Sequence, residues 1–164
     1  MSSFPYGEAI ELSSRVRRVT APNSGPMTGP GTNSYLIGKE RIALVDPGPA
    51  IDSHIAALIS IVGDRLKWIF VTHTHRDHSP AAKAVAAATG AELVFNIQEN
   101  DGFQDPTFTE ARSLANDECL KTDEFTLRAV LTPGHVSNHV CYLVEEDRTL
   151  ITGDHIMGGS TVVI

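Results

Sequence analysis

The chain has 164 residues, 41% hydrophobic and 20% charged, with a formal net charge of -7. That length and mix allow one globular domain with its own core and exclude a disordered or fibrous chain. The acidic total offers no electrostatic footprint for nucleic acid, although a local basic groove can sit inside an acidic chain.

No apolar run approaches the roughly 18 residues that suggest a membrane span. The N-terminal MSSFPYGEAIELSSRVRR lacks the basic-then-apolar order of a secretory signal, so a cytoplasmic protein with no membrane partner is expected. Cys119 and Cys141 match no metal-binding spacing and read as buried, reduced thiols.

RVRRVT (15–20) and SYLIG (34–38) read as short strands, separated by APNSGPMTGPGTN. No GK[ST] and no helix follow that Gly- and Pro-rich stretch, so it is a plain loop rather than a phosphate cradle. RIALV (41–45) is an apolar strand stopped by Asp46-Pro47-Gly48-Pro49. Ile51, Ile55, Leu58, Ile59 and Val62 then mark one face of a helix, with Asp52 or Ser53 able to cap its start and Gly63 its end. KWIFV (67–71) is a buried strand, and Ser79-Pro80 opens a second helix, with Ser79 as N-cap, running to Gly90. ELVF (92–95) is a further strand. Residues 98–124 hold eight acidic residues and no clear period, and read as a solvated segment or as a lid beside a site. Strands follow near 125–131, 139–144 and 149–152. This alternation implies an α/β layered fold.

The chemistry concentrates in Thr72-His73-Thr74-His75-Arg76-Asp77-His78. Three histidines and an aspartate lie between a strand end, which holds its last residues rigidly, and a helix start. His73 and His75, two apart, can project to one side of an extended chain. Asp77 and His78 fall where the chain turns. Imidazole and carboxylate suit Zn²⁺ and similar ions, so the cluster reads as a metal site. A lone core or surface histidine is the reading for His54.

The run THTHRDHSPAA closely resembles the signature loop of the metallo-β-lactamase superfamily. Pro133-Gly134-His135 after TLRAVL, LITGDH with Asp154, and the upstream GPGTNSYLIG and LVDPGP resemble its other motifs in order. The resemblance covers nearly the whole chain from about residue 15. It is nearest to a β-lactamase-like hydrolase branch that includes a mitochondrial endoribonuclease. It implies an αββα sandwich. It also implies His73, His75 and His135 on a first metal, Asp77 and His78 on a second, and Asp154 bridging both, with Asp77 and Asp154 as the catalytic carboxylates. Zn²⁺, one or two per chain, is the expected cofactor, with Mn²⁺ or Fe²⁺ fitting similar ligands.

The family pattern has a final histidine and a terminal layer of strands and helices that these 164 residues do not contain. Residues 1–164 therefore read as one domain, incomplete at the C-terminus, with an exposed edge that a second copy can cover in a homo-oligomer. Hydrolysis of a phosphodiester in single-stranded RNA, or of a small-molecule ester or thioester, is the leading expectation. A weakly active or inactive metal-binding homologue and a mononuclear iron persulfide oxygenase are the alternatives. His139 and His155 read as outer partners of ligands or as structural residues, and Arg76 as a steering cation or a solvated one.

Overall fold

The computed structural model describes residues 4–97, 102, 104–159 and 161–162. Two sheets face one another. The first contains β1 (Ile10–Glu11), β2 (Val16–Thr20), β3 (Asn33–Ile37), β4 (Ile42–Val45), β5 (Leu66–Phe70) and β6 (Glu92–Val94), in that order. The second has the order β10 (Thr149–Ile151), β9 (Val140–Val144), β8 (Thr126–Leu131), β7 (Cys119–Lys121), all antiparallel.

Helix α1 (Asp52–Val62) links β4 to β5, and α2 (Ala82–Thr89) links β5 to β6. Those three strands are parallel, with Val45 opposite Phe70 and Phe70 opposite Val94. The helices pack on each other, and α2 packs on β5 and β6. All four residues of β4 are buried, as a parallel strand covered on both faces requires. The second sheet meets the first through contacts such as the edge-on pair Phe70–Tyr142, ring centroids 5.3 Å apart. Among the described residues no helix covers the far face of the second sheet.

Most sequence expectations hold within a residue or two, and four need correction. Helix α1 buries His54, Leu58 and Val62, so its inner face runs through Leu58 as expected but takes in His54, leaving Ile51 and Ile59 half-buried at its margin. Its N-cap is Ile51, with no side-chain cap, while Gly63 ends it at φ 56° as expected. Ser79 does not cap α2. Its hydroxyl donates to Asp105 Oδ2 at 2.8 Å, and the helix begins at Ala82 after a turn. Cys141 is buried, but Cys119 is only half-buried; both are free.

The fourth correction is the 98–124 segment. Residues 98–101 and 103 lie outside the described ones. The rest is largely exposed, as a solvated segment would be, but it is anchored at several buried side chains. Phe108 and Leu114 enter the core, and Gln104 and Asp105 are buried. The segment also contributes β7.

Candidate metal centre

Parallel pairing brings the carboxyl ends of β4 and β5 side by side, the place where such sheets form ligand sites. Asp46 follows β4, and its N–H donates to Phe70 O at 2.9 Å. The histidine loop leaves β5 at Val71. From the second sheet, the loop after β8 carries His135 and the 3₁₀ turn after β10 carries Asp154. Every ligand expected from the sequence thus arrives at one place, from three strand ends, with Asp46 behind them at a fourth.

Two groups of ligand atoms form there. In each of the sets His73, His75, His135 and His73, His78, Asp154, one atom per residue lies within 4.8 Å of the others. His135 Nε2 is 3.1 Å from His75 Nδ1. Asp154 stands between the groups. Its Oδ1 is 3.4 Å from His78 Nε2, and its Oδ2 is 3.6 Å from His135 Nε2 and 3.9 Å from His73 Nε2. Asp77 Oδ2 lies 3.5 Å from His78 Nε2. Two ligands of a tetrahedral ion at 2.0–2.1 Å stand about 3.3 Å apart, so these spacings suit atoms that share a cation.

The hydrogen bonds behind the ligands set their tautomers. Asp46 is buried, accepts the Thr72 N–H on Oδ1 at 2.7 Å and the Thr72 hydroxyl on Oδ2 at 2.8 Å. With its one proton spent, that hydroxyl accepts from His73 Nδ1 at 3.0 Å. The lone pair of His73 is then on Nε2, a fully buried atom with no hydrogen-bond partner among the described residues. An orphaned buried nitrogen is costly unless something fills its place, and a metal ion does. His78 likewise faces Asp46 Oδ2 through Nδ1 at 2.9 Å, leaving Nε2 toward Asp77 and Asp154.

The electrostatics of the two groups differ. Burial holds His73 far below the usual imidazole range, and the neighbouring imidazoles of His78, His75, His139 and His135 add to that. Burial opposes protonation of His78 too, but Asp46, Asp154 and Asp77 raise it well above the ordinary value. For Asp154 burial raises the pKa, yet His78, His135 and His139 bring it below the usual carboxylate range. The His78 end therefore has a negative potential that favours a cation.

Several residues that build this centre carry no metal-site signal in the sequence. Asp46 reads there as a strand stop inside the LVDPGP resemblance, with no metal role attached to it. Tyr142 donates its hydroxyl to Val71 O at 2.8 Å, and Val140 N–H donates to Thr72 O at 2.9 Å, so β9 holds the root of the histidine loop. From the other side, Asp105 N–H donates to Thr74 O at 2.6 Å, and the Thr74 hydroxyl is bonded to Gln104. Gly153 has φ 48°, and a Cβ there would stand 2.5 Å from Thr72 Oγ1 and 2.8 Å from His139 Nε2. Only glycine lets the Asp154 turn come this close. An acidic residue ending the strand parallel to the histidine loop's strand is the one signal that points to Asp46.

The remaining histidines divide. His139 is buried, bonded through Nδ1 to Thr132 Oγ1 at 2.9 Å, and its ring stacks on His73 at 5.3 Å. Burial lowers its pKa to about 4, so it is a neutral packing partner of a ligand. His155 and Arg76 are exposed. His54 is a core residue whose Nε2 lies 3.1 Å from Pro47 O and 3.2 Å from Ser34 Oγ, which steadies the turn that carries Asp46. Asn138 donates to Asn96 O at 2.6 Å, tying the His135 loop to the chain after β6.

A cleft of about 340 Å³ opens onto the Asp77, His78 and Asp154 end. It is lined by residues 26–33 of the Gly- and Pro-rich loop, by Tyr35, and by residues 152–154 and 156–158. The loop is fixed. Asn23 exchanges hydrogen bonds with Thr32 at 2.9 Å in both directions, and Tyr6 donates to Pro30 O at 2.8 Å. No helix among the described residues is long and apolar enough to cross a membrane.

Among known proteins, the chain is 34% identical over 152 residues to the thioesterase pkgB of Emericella nidulans, covering 90% of this chain and 42% of that protein. It is 31% identical over 169 residues to the beta-lactamase-like protein 2 homolog of Caenorhabditis elegans, covering 99% and 57%. The chain spans about half the length of the curated relatives it matches. A beta-lactamase domain protein from Burkholderia ambifaria has the same fold, with a TM-score of 0.77 at 20% identity over 98% of this chain and 60% of that one. The family profile of the metallo-beta-lactamase superfamily matches residues 27–164, and the chain belongs to that superfamily.

Proposed function

We propose that this chain carries the metal centre of a metal-dependent hydrolase acting on an ester or thioester. The observation that carries the reading is the placement of Asp154, whose two oxygens face different ligand groups at 3.4 and 3.6 Å. A single carboxylate so placed suits a pair of ions, His73, His75 and His135 holding one and Asp77 and His78 the other. Zn²⁺, or Mn²⁺ or Fe²⁺ in its stead, supplies an activated water and a positive charge for the oxyanion that develops.

The chain's own residues do the rest. Asp46 and Thr72 present the lone pairs of His78 and His73. Asp77, bordering the cleft, is placed to take up the proton that the attacking water loses. In the reaction the water oxygen bonds to the acyl carbon, the carbon–sulfur or carbon–oxygen bond breaks, and the leaving group takes up a proton. The relative named as a thioesterase supports the thioester reading.

The test is metal content by elemental analysis together with hydrolysis of an acyl-N-acetylcysteamine thioester, for the parent and His75→Ala. About two metals per chain, and a rate that falls more than about a hundredfold in the variant, are expected. An unchanged rate in His75→Ala sinks the reading. One metal per chain with oxygen uptake on a persulfide moves it to the mononuclear iron chemistry.

A further inference from the structure

The two most exposed large apolar side chains among the described residues are Met27, 73% exposed, and Ile156, 61% exposed. They are not scattered over the surface. Both line the cleft that ends at Asp77, His78 and Asp154, one from the 26–33 loop and one from the segment after β10. Met27 is not loosely displayed, since the Asn23–Thr32 bonds and the Thr28 hydroxyl, donating to Asn23 O at 2.5 Å, lock the loop beneath it. Gly31 keeps that loop close to β2, since a Cβ there would meet Ala21 O at 2.0 Å.

The charge of the cleft narrows what can occupy it. Among the described residues its only ionisable carboxylates and imidazoles, Asp46, Asp77, His78 and Asp154, belong to the candidate ligand groups or to the ties behind them, and no lysine or arginine lines it. A polyanion such as an RNA strand leaves phosphates along its whole path and needs cations or donors beyond the reacting centre. An uncharged organic group needs no cation along its path, and in this mixed lining Pro26, Met27, Pro30, Ile156 and Met157 supply the apolar contacts beside a few polar atoms.

We propose that the cleft receives the acyl portion of a neutral ester or thioester, with Met27 and Ile156, contributed by two separate segments, gripping it and setting acyl-chain preference. This rests on the hydrolase reading for the bond cleaved, but the grip itself is a binding property. Removing water from each methylene of a chain held between two such side chains favours longer acyl groups.

The experiment compares acetyl, butanoyl, hexanoyl and octanoyl N-acetylcysteamine thioesters, with bis(p-nitrophenyl) phosphate as the anionic competitor substrate. Binding of octanamide, an uncharged acyl probe, is measured by calorimetry on the metal-free chain. Both are repeated on Met27→Ser/Ile156→Ser, whose exposed positions leave the core untouched. The expected result is a kcat/KM ratio of octanoyl to acetyl of at least about tenfold, falling below about threefold in the double variant, with octanamide binding weakened at least about fivefold. A flat chain-length profile, a ratio that the double variant leaves intact, or a higher kcat/KM on the phosphate diester overturns the inference while leaving a hydrolase in place. If no thioester is cleaved, the hydrolase reading fails by itself. Octanamide affinity then decides the cleft: dependence on Met27 and Ile156 upholds it, and independence overturns it.

Discussion

The two ligand groups sit a few ångströms apart and are built on different principles. The group of His73, His75 and His135 is all imidazole, and its deepest member, His73, is fully buried and held neutral by burial and by its imidazole neighbours. The group of His78, Asp77 and Asp154 places two carboxylates around one imidazole and borders the cleft. An imidazole set holds an ion through lone pairs, that of His73 fixed by the Thr72 hydroxyl, whereas a carboxylate set adds charge and stays open to solvent and substrate. Nitrogen ligands of fixed tautomer suit a tightly kept ion; the acidic, open set suits an ion that meets the reacting group.

The comparison can be broken at several points. The largest effect is expected from His135→Ala beside Asp77→Asn. Loss of His135 strips the all-imidazole group and lowers hydrolysis more than about a hundredfold, while Asp77→Asn empties only the His78 end. Elemental analysis of both variants checks this, and equal losses of both ions in each would show that the groups do not act separately.

Asp46→Asn comes next. It keeps the side-chain shape, and Asn tolerates the φ of 54° at this position, but the charge facing His78 Nδ1 is lost. The metal affinity of the His78 end should fall about ten- to a hundredfold in a competitive chelator titration. The all-imidazole end, reached from Asp46 only through Thr72, should fall less.

Tyr142→Phe tests the second sheet's hold on the loop root. It leaves the carbonyl of Val71 without its donor and should cost about 1–3 kcal/mol in urea denaturation. A much smaller loss of stability would mean that the Val140–Thr72 bond alone suffices.

The smallest effect is in pH dependence. Burial holds the pKa of His54 below the ordinary 6.5, with the Pro47 carbonyl opposing. The unfolded chain therefore binds a proton between the two values that the folded chain does not. Stability is fully present above about pH 6.5 and declines as the pH falls below it. His54→Asn should make that decline shallower by up to about 1.4 kcal/mol per pH unit, read from denaturation midpoints on either side of pH 6.5.

Much of this molecule is legible before folding, because its signals are local. Apolar runs bounded by Gly and Pro mark the strands, and the α1 periodicity marks a helix. The histidine–aspartate run declares its chemistry by residue type and spacing, and the resemblance to the superfamily added His135 and Asp154. The errors were also local in kind. Ser79 has the residue type of a helix cap, but its hydroxyl is taken by Asp105, a partner 26 residues away. The 98–124 segment has no period because it braces the histidine loop through scattered contacts rather than through one regular face.

By itself, then, the sequence determined the order of most strands and of both helices and marked the histidine–aspartate run as a candidate metal site, since periodicity and ligand chemistry are properties of neighbouring residues. The tertiary structure decided what depends on distant residues meeting: that Asp46 and Thr72 set the tautomers of His78 and His73, that Gly153 must be glycine, and that Met27 and Ile156 face the same cleft. Parallel pairing of β4 with β5 and the approach of the second sheet create those contacts, and apart from the Thr72–His73 bond, which Asp46 orients from 26 residues away, no short window of sequence contains both partners.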